Sequence, residues 1–444
     1  MLPRIRHAGA PVRAMIVTAV AILAACGNPL DVVTTSRIPA EQVETPANAA
    51  LLVDGAVADF ECAFASYVVQ SATVGEEFIY AQQTADRTPP DARRVTASDA
   101  RYANFGCEGL GIYVPLQTAR NSAEKVLGYL KGWTDAEVPT NRTNLIATAA
   151  AYAGYSYVLL GEGFCTMAFS KVNPDRTIEY GGEIQRDSVF KIAIARFTEA
   201  IAAAQTANNT AILRMAYMGR ARARLSVADY AGAKADAQLV PAGFVRNATY
   251  TEAIGRRTNR VWADNALLNR SSSVGEPYRT IGDTLSATRD LRVPVVRSNP
   301  LFTTAATGVQ HWYQLKYING DAPIPIATYE EAQLIIAEAD IRAGNFATAL
   351  TIINASRERG NPTPAVPRPY TGPVTQVALL AELVEQRRRE LFLESHHLGD
   401  IIRYSIAVTP ATGTPYHFGG GTYQNQICFP LPASERQNNP LIGS

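Results

Sequence analysis

Glu385-Gln386-Arg387-Arg388-Arg389-Glu390-Leu391-Phe392-Leu393-Glu394-Ser395-His396-His397-Leu398-Gly399-Asp400-Ile401-Ile402-Arg403 is the stretch on which the reading of this chain turns. Leu383, Arg387, Glu390, Leu391 and Glu394 recur at spacings of three and four, which predicts one helix with charged and apolar surfaces on adjoining faces. Arg387 stands one turn from Glu390, and Asp400 stands one turn from Arg403, so the spacing allows a lattice of ion pairs. Spacing alone equally describes a solvated charged face, where each pair contributes only ~0.2–1 kcal/mol.

Working outward, 444 residues suffice for two or three domain-sized units or for one helical array. The apolar share of 47% supports a real core, and 41 Lys and Arg against 40 Asp and Glu leave a formal charge of +1. That balance carries no electrostatic footprint for nucleic acid. Tyr, at 20 residues, is the most abundant aromatic. Such rings bury apolar area and keep a hydrogen-bonding tip, which suits sugar or peptide contact as well as packing.

The N-terminus reads as a processing signal. Arg4, Arg6 and Arg13 are followed by the apolar run Met15 to Ala25 and by Leu23-Ala24-Ala25-Cys26. This end resembles a bacterial lipoprotein signal. The resemblance implies a leader over 1–25, lipidation of Cys26 and a tether over 26–48, poor in large apolar residues. Gly27 after the cysteine, by similarity to known lipoproteins, points to the outer membrane; the leaflet is left open. Of the remaining cysteines, Cys62, Cys107, Cys165 and Cys428, an even number in an exported chain allows two disulfides in three connectivities or four buried free thiols.

Helical periodicity runs over Leu51–Gln70, Gly109–Trp133, Asn144–Gly161, Val189–Ala204, Thr210–Ser226 and Ala228–Leu239. Small residues at Ala216, Gly219, Ala221 and Ala223 let neighbouring helices approach closely. Asp229-Tyr230-Ala231-Gly232-Ala233 is echoed by Asn345-Phe346-Ala347-Thr348-Ala349, and both resemble the helix junction of a tetratricopeptide unit. Between Phe244 and Pro325 the period disappears and Gly, Pro, Ser, Thr and Asn punctuate short runs. A second such stretch, Tyr404–Pro430, contains Gly419-Gly420-Gly421 with Tyr416, Phe418 and Tyr423. Long irregular segments held on a rigid scaffold tend to carry binding groups.

Several segments together carry a family resemblance: Tyr329 to Ala339, Ala343 to Phe346, Ile353 to Arg357, Glu385 to Arg403, Phe429 to Glu435 with Asn438-Asn439-Pro440, and Tyr113 to Asn121. Their order and spacing are similar to the landmarks of SusD-like (SusD/RagB) outer-membrane lipoproteins. The resemblance implies a mainly helical, all-α fold: a tetratricopeptide-like scaffold (49–240 and 326–403) with irregular insertions (241–325 and 404–444) in one domain over 49–444. It implies an outer-membrane, lipid-anchored protein, at the cell surface if the anchor sits in the outer leaflet, that binds a glycan or other nutrient without catalysis; the alternatives are a tetratricopeptide scaffold for envelope protein assembly and an envelope glycoside hydrolase. The implied partner is a SusC-type TonB-dependent transporter, and no cofactor is implied. It also makes Arg387, Glu390, Glu394, Asp400 and Arg403 a structural ion-pair network, with Arg387, Glu390 and Asp400 buried and bridged to other helices. His397, Leu398 and Gly399 depart from the family's usual Arg and aromatics.

Competing chemistry finds little support in the residues. His396 and His397 are adjacent and point apart on a helix, and no Cys-x-x-Cys or His-Glu-x-x-His occurs, so no metal site is expected. Glu76 with Glu77, and Glu330 with Glu331, are the paired carboxylates a glycosidase would need, at positions suited to caps or surface. No catalytic residue is assigned. For ligand contact the aromatic and amide groups of irregular segments are the candidates: Tyr102 and Asn104 before the Tyr113 landmark, and Trp262 and Tyr278 in the long insertion.

Overall fold

The computed structural model describes residues 40–82, 84–173, 177–267, 270–298 and 309–443. Cys26, the leader and most of the tether lie outside the described residues. The fold is mainly helical. Ten longer helices follow one another: α1 (Ala49–Val74), α2 (Tyr113–Gly132), α3 (Arg142–Gly163), α4 (Arg186–Thr206), α5 (Thr210–Ser226), α6 (Tyr230–Ala237), α7 (Tyr329–Arg342), α8 (Phe346–Arg359), α9 (Gln376–Glu390) and α10 (His397–Tyr404). Starts are chemically marked. Asn141, Asn209, Asp229, Thr328 and Thr375 each accept a bond from a free amide in the first turn of α3, α5, α6, α7 and α9.

Each helix packs on the next in sequence from α2 to α9, with α1 lying across α2 and α3. Close approach depends on glycine at the α3–α4–α5 junction. A Cβ on Gly154 would stand 2.7 Å from the Phe197 ring, and one on Gly219 would stand 2.3 Å from it. The ring therefore sits in two notches that only a missing side chain leaves. Helix α3 is buried nearly all round, which is why its apolar pattern shows no single face.

The long insertion leaves and rejoins the array at one point. Strands Val245–Ala248 and Ile324–Thr328 pair antiparallel, and the Tyr329 amide donates to the Phe244 carbonyl at 2.9 Å. Hence α6 packs directly on α7, although more than ninety positions separate them in sequence. Inside the insertion are short strands and helical turns, including the pair Val295–Arg297 with Trp312–Gln314 and the helix Glu276–Gly282. Its core is shared with the scaffold: Tyr250 and Tyr317, both buried, donate to the carbonyls of Glu61 and Leu393 at 3.2 Å each. The C-terminal segment is held by Cys165–Cys428 and by the Phe429 amide on Gly163 O at 2.8 Å; the other disulfide is Cys62–Cys107.

One expectation of local structure fails. The single helix expected over Glu385–Arg403 is two, α9 and α10, joined by a turn at 391–396 in which Leu393 and Ser395 take φ of +55° and +73°. The Leu393 amide, freed from helical bonding, donates to the buried Glu77 carboxylate at 2.7 Å. A long-range acceptor thus replaces the local one.

Candidate functional site

At the α9–α10 turn, charged side chains lie inside the protein. Arg387 Nε stands 2.7 Å from Asp400 Oδ2, with both side chains nearly fully buried. The guanidinium of Arg403 spans the two oxygens of Glu338 at 3.0 Å each and reaches Asp400 at 3.4 Å. Arg222 grips Glu162 through two bonds of 2.8 and 2.6 Å, and His396 Nε2 lies 2.9 Å from Arg222 and 3.0 Å from Glu331. Glu390 does not pair with Arg387. It accepts from Arg292 and Arg359 at 3.0 Å each, while Glu394 accepts from Lys316 at 2.6 Å.

Electrostatics explain why these groups stay charged. Burial raises the cost of ionising Asp400 and Glu338, but Arg387 and Arg403 outweigh it and hold both carboxyls below their ordinary value. For Glu394 burial wins over Lys316, and the carboxyl is pushed up. These carboxylates are each paired with arginine or lysine, an arrangement that braces the helices, and Glu162 and Asp400 also line a cavity of about 190 Å³. Glu77 and Glu331 are buried too, contrary to the surface or cap role expected for them.

The four expected ligand residues separate into two pairs. Tyr102 is in the core, its ring 5.5 Å from that of Phe429 and its hydroxyl donating to Pro430 O at 3.2 Å. Tyr278 is fully buried: it stacks on Phe392 at 5.0 Å, with Arg388 over it at 5.5 Å. Neither ring has a face free for a sugar, because both irregular segments fold their aromatics onto the helices. Asn104 is exposed and Trp262 half-buried.

Around Asn104 the structure assembles groups that spacing did not reveal. Phe105, 38% exposed, carries the Arg101 guanidinium at 5.2 Å from its ring. Next to it a cleft of about 120 Å³ is walled by Asp59, Gly106, Glu108, Val114 and Arg256. Arg256, from the insertion, reaches Asp59 at 2.7 Å. Burial lowers the Arg260 guanidinium from its ordinary value, and Glu108 opposes that shift, so the loop 104–109 and the segment 256–262 also act on each other electrostatically. An exposed ring beside an amide, two carboxylates and a guanidinium is a combination that meets a sugar's apolar face and its hydroxyls. The signal in the sequence was Cys107, whose bond to Cys62 fixes the loop against α1.

The triple glycine shares no wall residue with this cleft. Gly419, Gly420 and Gly421 all have positive φ and close a loop whose Tyr416 and Tyr423 are buried beside Arg93 and Arg94. Among the described residues no group of three or more His, Cys, Asp or Glu could hold a metal ion, and no helix is long and apolar enough to cross a membrane.

Comparison with known proteins bears on the fold and the C-terminal third. Residues 302–442 match the model of the SusD family. No curated protein matches the sequence. A SusD superfamily protein from Bacteroides vulgatus superposes with a TM-score of 0.66 at 14% identity, over 89% of this chain and 97% of its own. One from Bacteroides fragilis gives 0.66 at 17% identity, over 90% and 99%. A protein of Bacteroides vulgatus described as a SusD-like carbohydrate binding protein gives 0.65 at 14% identity, over 90% and 97%. The family's model thus matches across α7 to α10, and the fold is shared with SusD superfamily proteins over nine-tenths of the chain.

Proposed function

We propose that this chain is a lipid-anchored outer-membrane protein that captures a glycan or oligosaccharide and passes it to a SusC-type TonB-dependent transporter, without breaking it. The observation that carries the reading is the family match over 302–442 on a whole-chain fold shared with a protein described as carbohydrate binding. The leader and Cys26 support the anchor, which is made of acyl chains. Asn104 and Trp262 remain proposed contacts, now joined by Phe105, Glu108 and Arg256 at the cleft. Absence of catalysis is supported by the state of the paired carboxylates: Glu76 and Glu77 are both buried, with Glu77 occupied by the Leu393 amide.

A glycan array probed with the detergent-extracted full chain tests the ligand class. The expected result is binding to one family of oligosaccharides, weakened about tenfold by Phe105→Ala, since one stacked ring contributes about 1 kcal/mol or more. Binding to no glycan defeats the sugar reading, and failure of any β-barrel to co-purify defeats the transporter partnership.

A further inference from the structure

A second cavity, of about 370 Å³, lies between residues 280–292 of the insertion and helices α8 and α9. It shares no wall residue with the Asn104 cleft. Its volume is in the range of small-molecule sites. The insertion side is fixed by the Leu291 amide, which donates to Gly360 O at 3.0 Å.

Most charges of the wall are already matched. Arg292 holds Asp290 at 2.7 Å, Arg357 holds Glu382 at 2.6 Å and Arg389 holds Glu385 at 2.5 Å. Arg368 is the exception. Among the described residues its guanidinium reaches the Thr288 carbonyl at 3.4 Å and the Thr363 hydroxyl at 3.5 Å, both neutral and both at the limit of a hydrogen bond. Glu358 accepts the Arg368 backbone amide but makes no ion pair with its side chain among the described residues. Among the wall residues four arginines thus face three carboxylates.

We propose that this cavity is a second ligand site, for a single monoanionic sugar residue of the hexuronate class. Arg368 takes the carboxylate through its planar fork, and Thr280 and Thr288 belong to the same wall. A neutral sugar leaves the guanidinium uncompensated. A multiply charged one meets Glu382 and Glu385. The site is independent of the cleft proposed above, and either can fail without the other.

Calorimetric titration of the detergent-extracted full chain with D-galacturonate, D-galactose and acetate tests it. Saturable binding of galacturonate is expected, with galactose and acetate at least about tenfold weaker. Arg368→Gln weakens galacturonate by about tenfold or more, and Arg368→Lys recovers part of the loss. Because Arg368 is on the surface, an unchanged unfolding midpoint certifies that the variants are folded. No binding of galacturonate, binding of acetate as tight as galacturonate, or an unaffected Arg368→Gln overturns the proposal. So does loss of galacturonate binding in Arg256→Ala with retention in Arg368→Gln, which places the sugar on the other face.

Discussion

Arg387 has 4% of its surface exposed, and its Nη1 finds no partner among the described residues, so its bond to Asp400 is the main compensation for its burial. Arg387→Ala leaves Asp400 buried with, among the described residues, the 3.4 Å contact to Arg403 as its remaining ion pair. The expected loss is about 3–5 kcal/mol in urea denaturation, whereas the double change Arg387→Met with Asp400→Leu costs much less, because no charge is then stranded. A loss below about 1 kcal/mol for the single change contradicts this account. Asp91 is the opposite case. Burial pushes its carboxyl up to about 7, against the bonds it accepts from the Tyr416 hydroxyl at 2.8 Å and the Tyr80 amide at 3.1 Å. The unfolded carboxyl titrates near ~3.9, so between those values the folded chain keeps a proton the unfolded chain has released. The stability Asp91 contributes is present below about pH 4 and lost as pH rises through about 7. Asp91→Asn is expected to flatten that fall when unfolding free energies are measured across the interval.

At the scale of elements, the two echoed hairpins show what a repeat conserves physically. Ala228 has φ +61° and Gly344 has φ +81°, each one residue before the helix cap at Asp229 or Asn345. The backbone needs a left-handed residue there, and alanine adopts it at a cost of about 1–2 kcal/mol. Ala228→Gly relieves that strain, less the entropy glycine loses, and is expected to be neutral to stabilising by up to about 1 kcal/mol in thermal unfolding; clear destabilisation counts against it. These junctions were legible in the sequence because their chemistry is local. The break between α9 and α10 was not. No glycine or proline falls between Leu391 and Ser395, and what ends the helix is Glu77, distant in sequence, accepting the Leu393 amide. Tyr102 and Tyr278 misled for a related reason: irregular backbone marks a loop, but not which way its rings turn.

For the whole molecule, the neck at Val245–Ala248 and Ile324–Thr328 suggests a detachable module, yet the core says otherwise. One apolar cluster contains Tyr250, Tyr278 and Tyr317 of the insertion together with Phe60, Tyr155 and Phe392 of the scaffold. Insertion and array should therefore unfold as one unit. Tryptophan fluorescence, with Trp262 and Trp312 in the insertion, and far-ultraviolet circular dichroism, dominated by the array, are expected to give coincident urea midpoints. Midpoints that separate would show two cooperative units.

By itself the sequence determined most of the helices, the helix-turn-helix junctions and the two irregular segments, since each depends on residues within a turn or two of one another, whereas the α9–α10 break did not. The resemblance to SusD-like proteins could be read there for the same reason, from short motifs kept in order. Only the tertiary structure decided which charges are buried together, which cysteines pair, and which rings of the insertion face the core. Those outcomes depend on contacts between residues far apart in the chain, such as Arg222 with Glu162 or Cys165 with Cys428, and no local pattern encodes the geometry that brings them within reach.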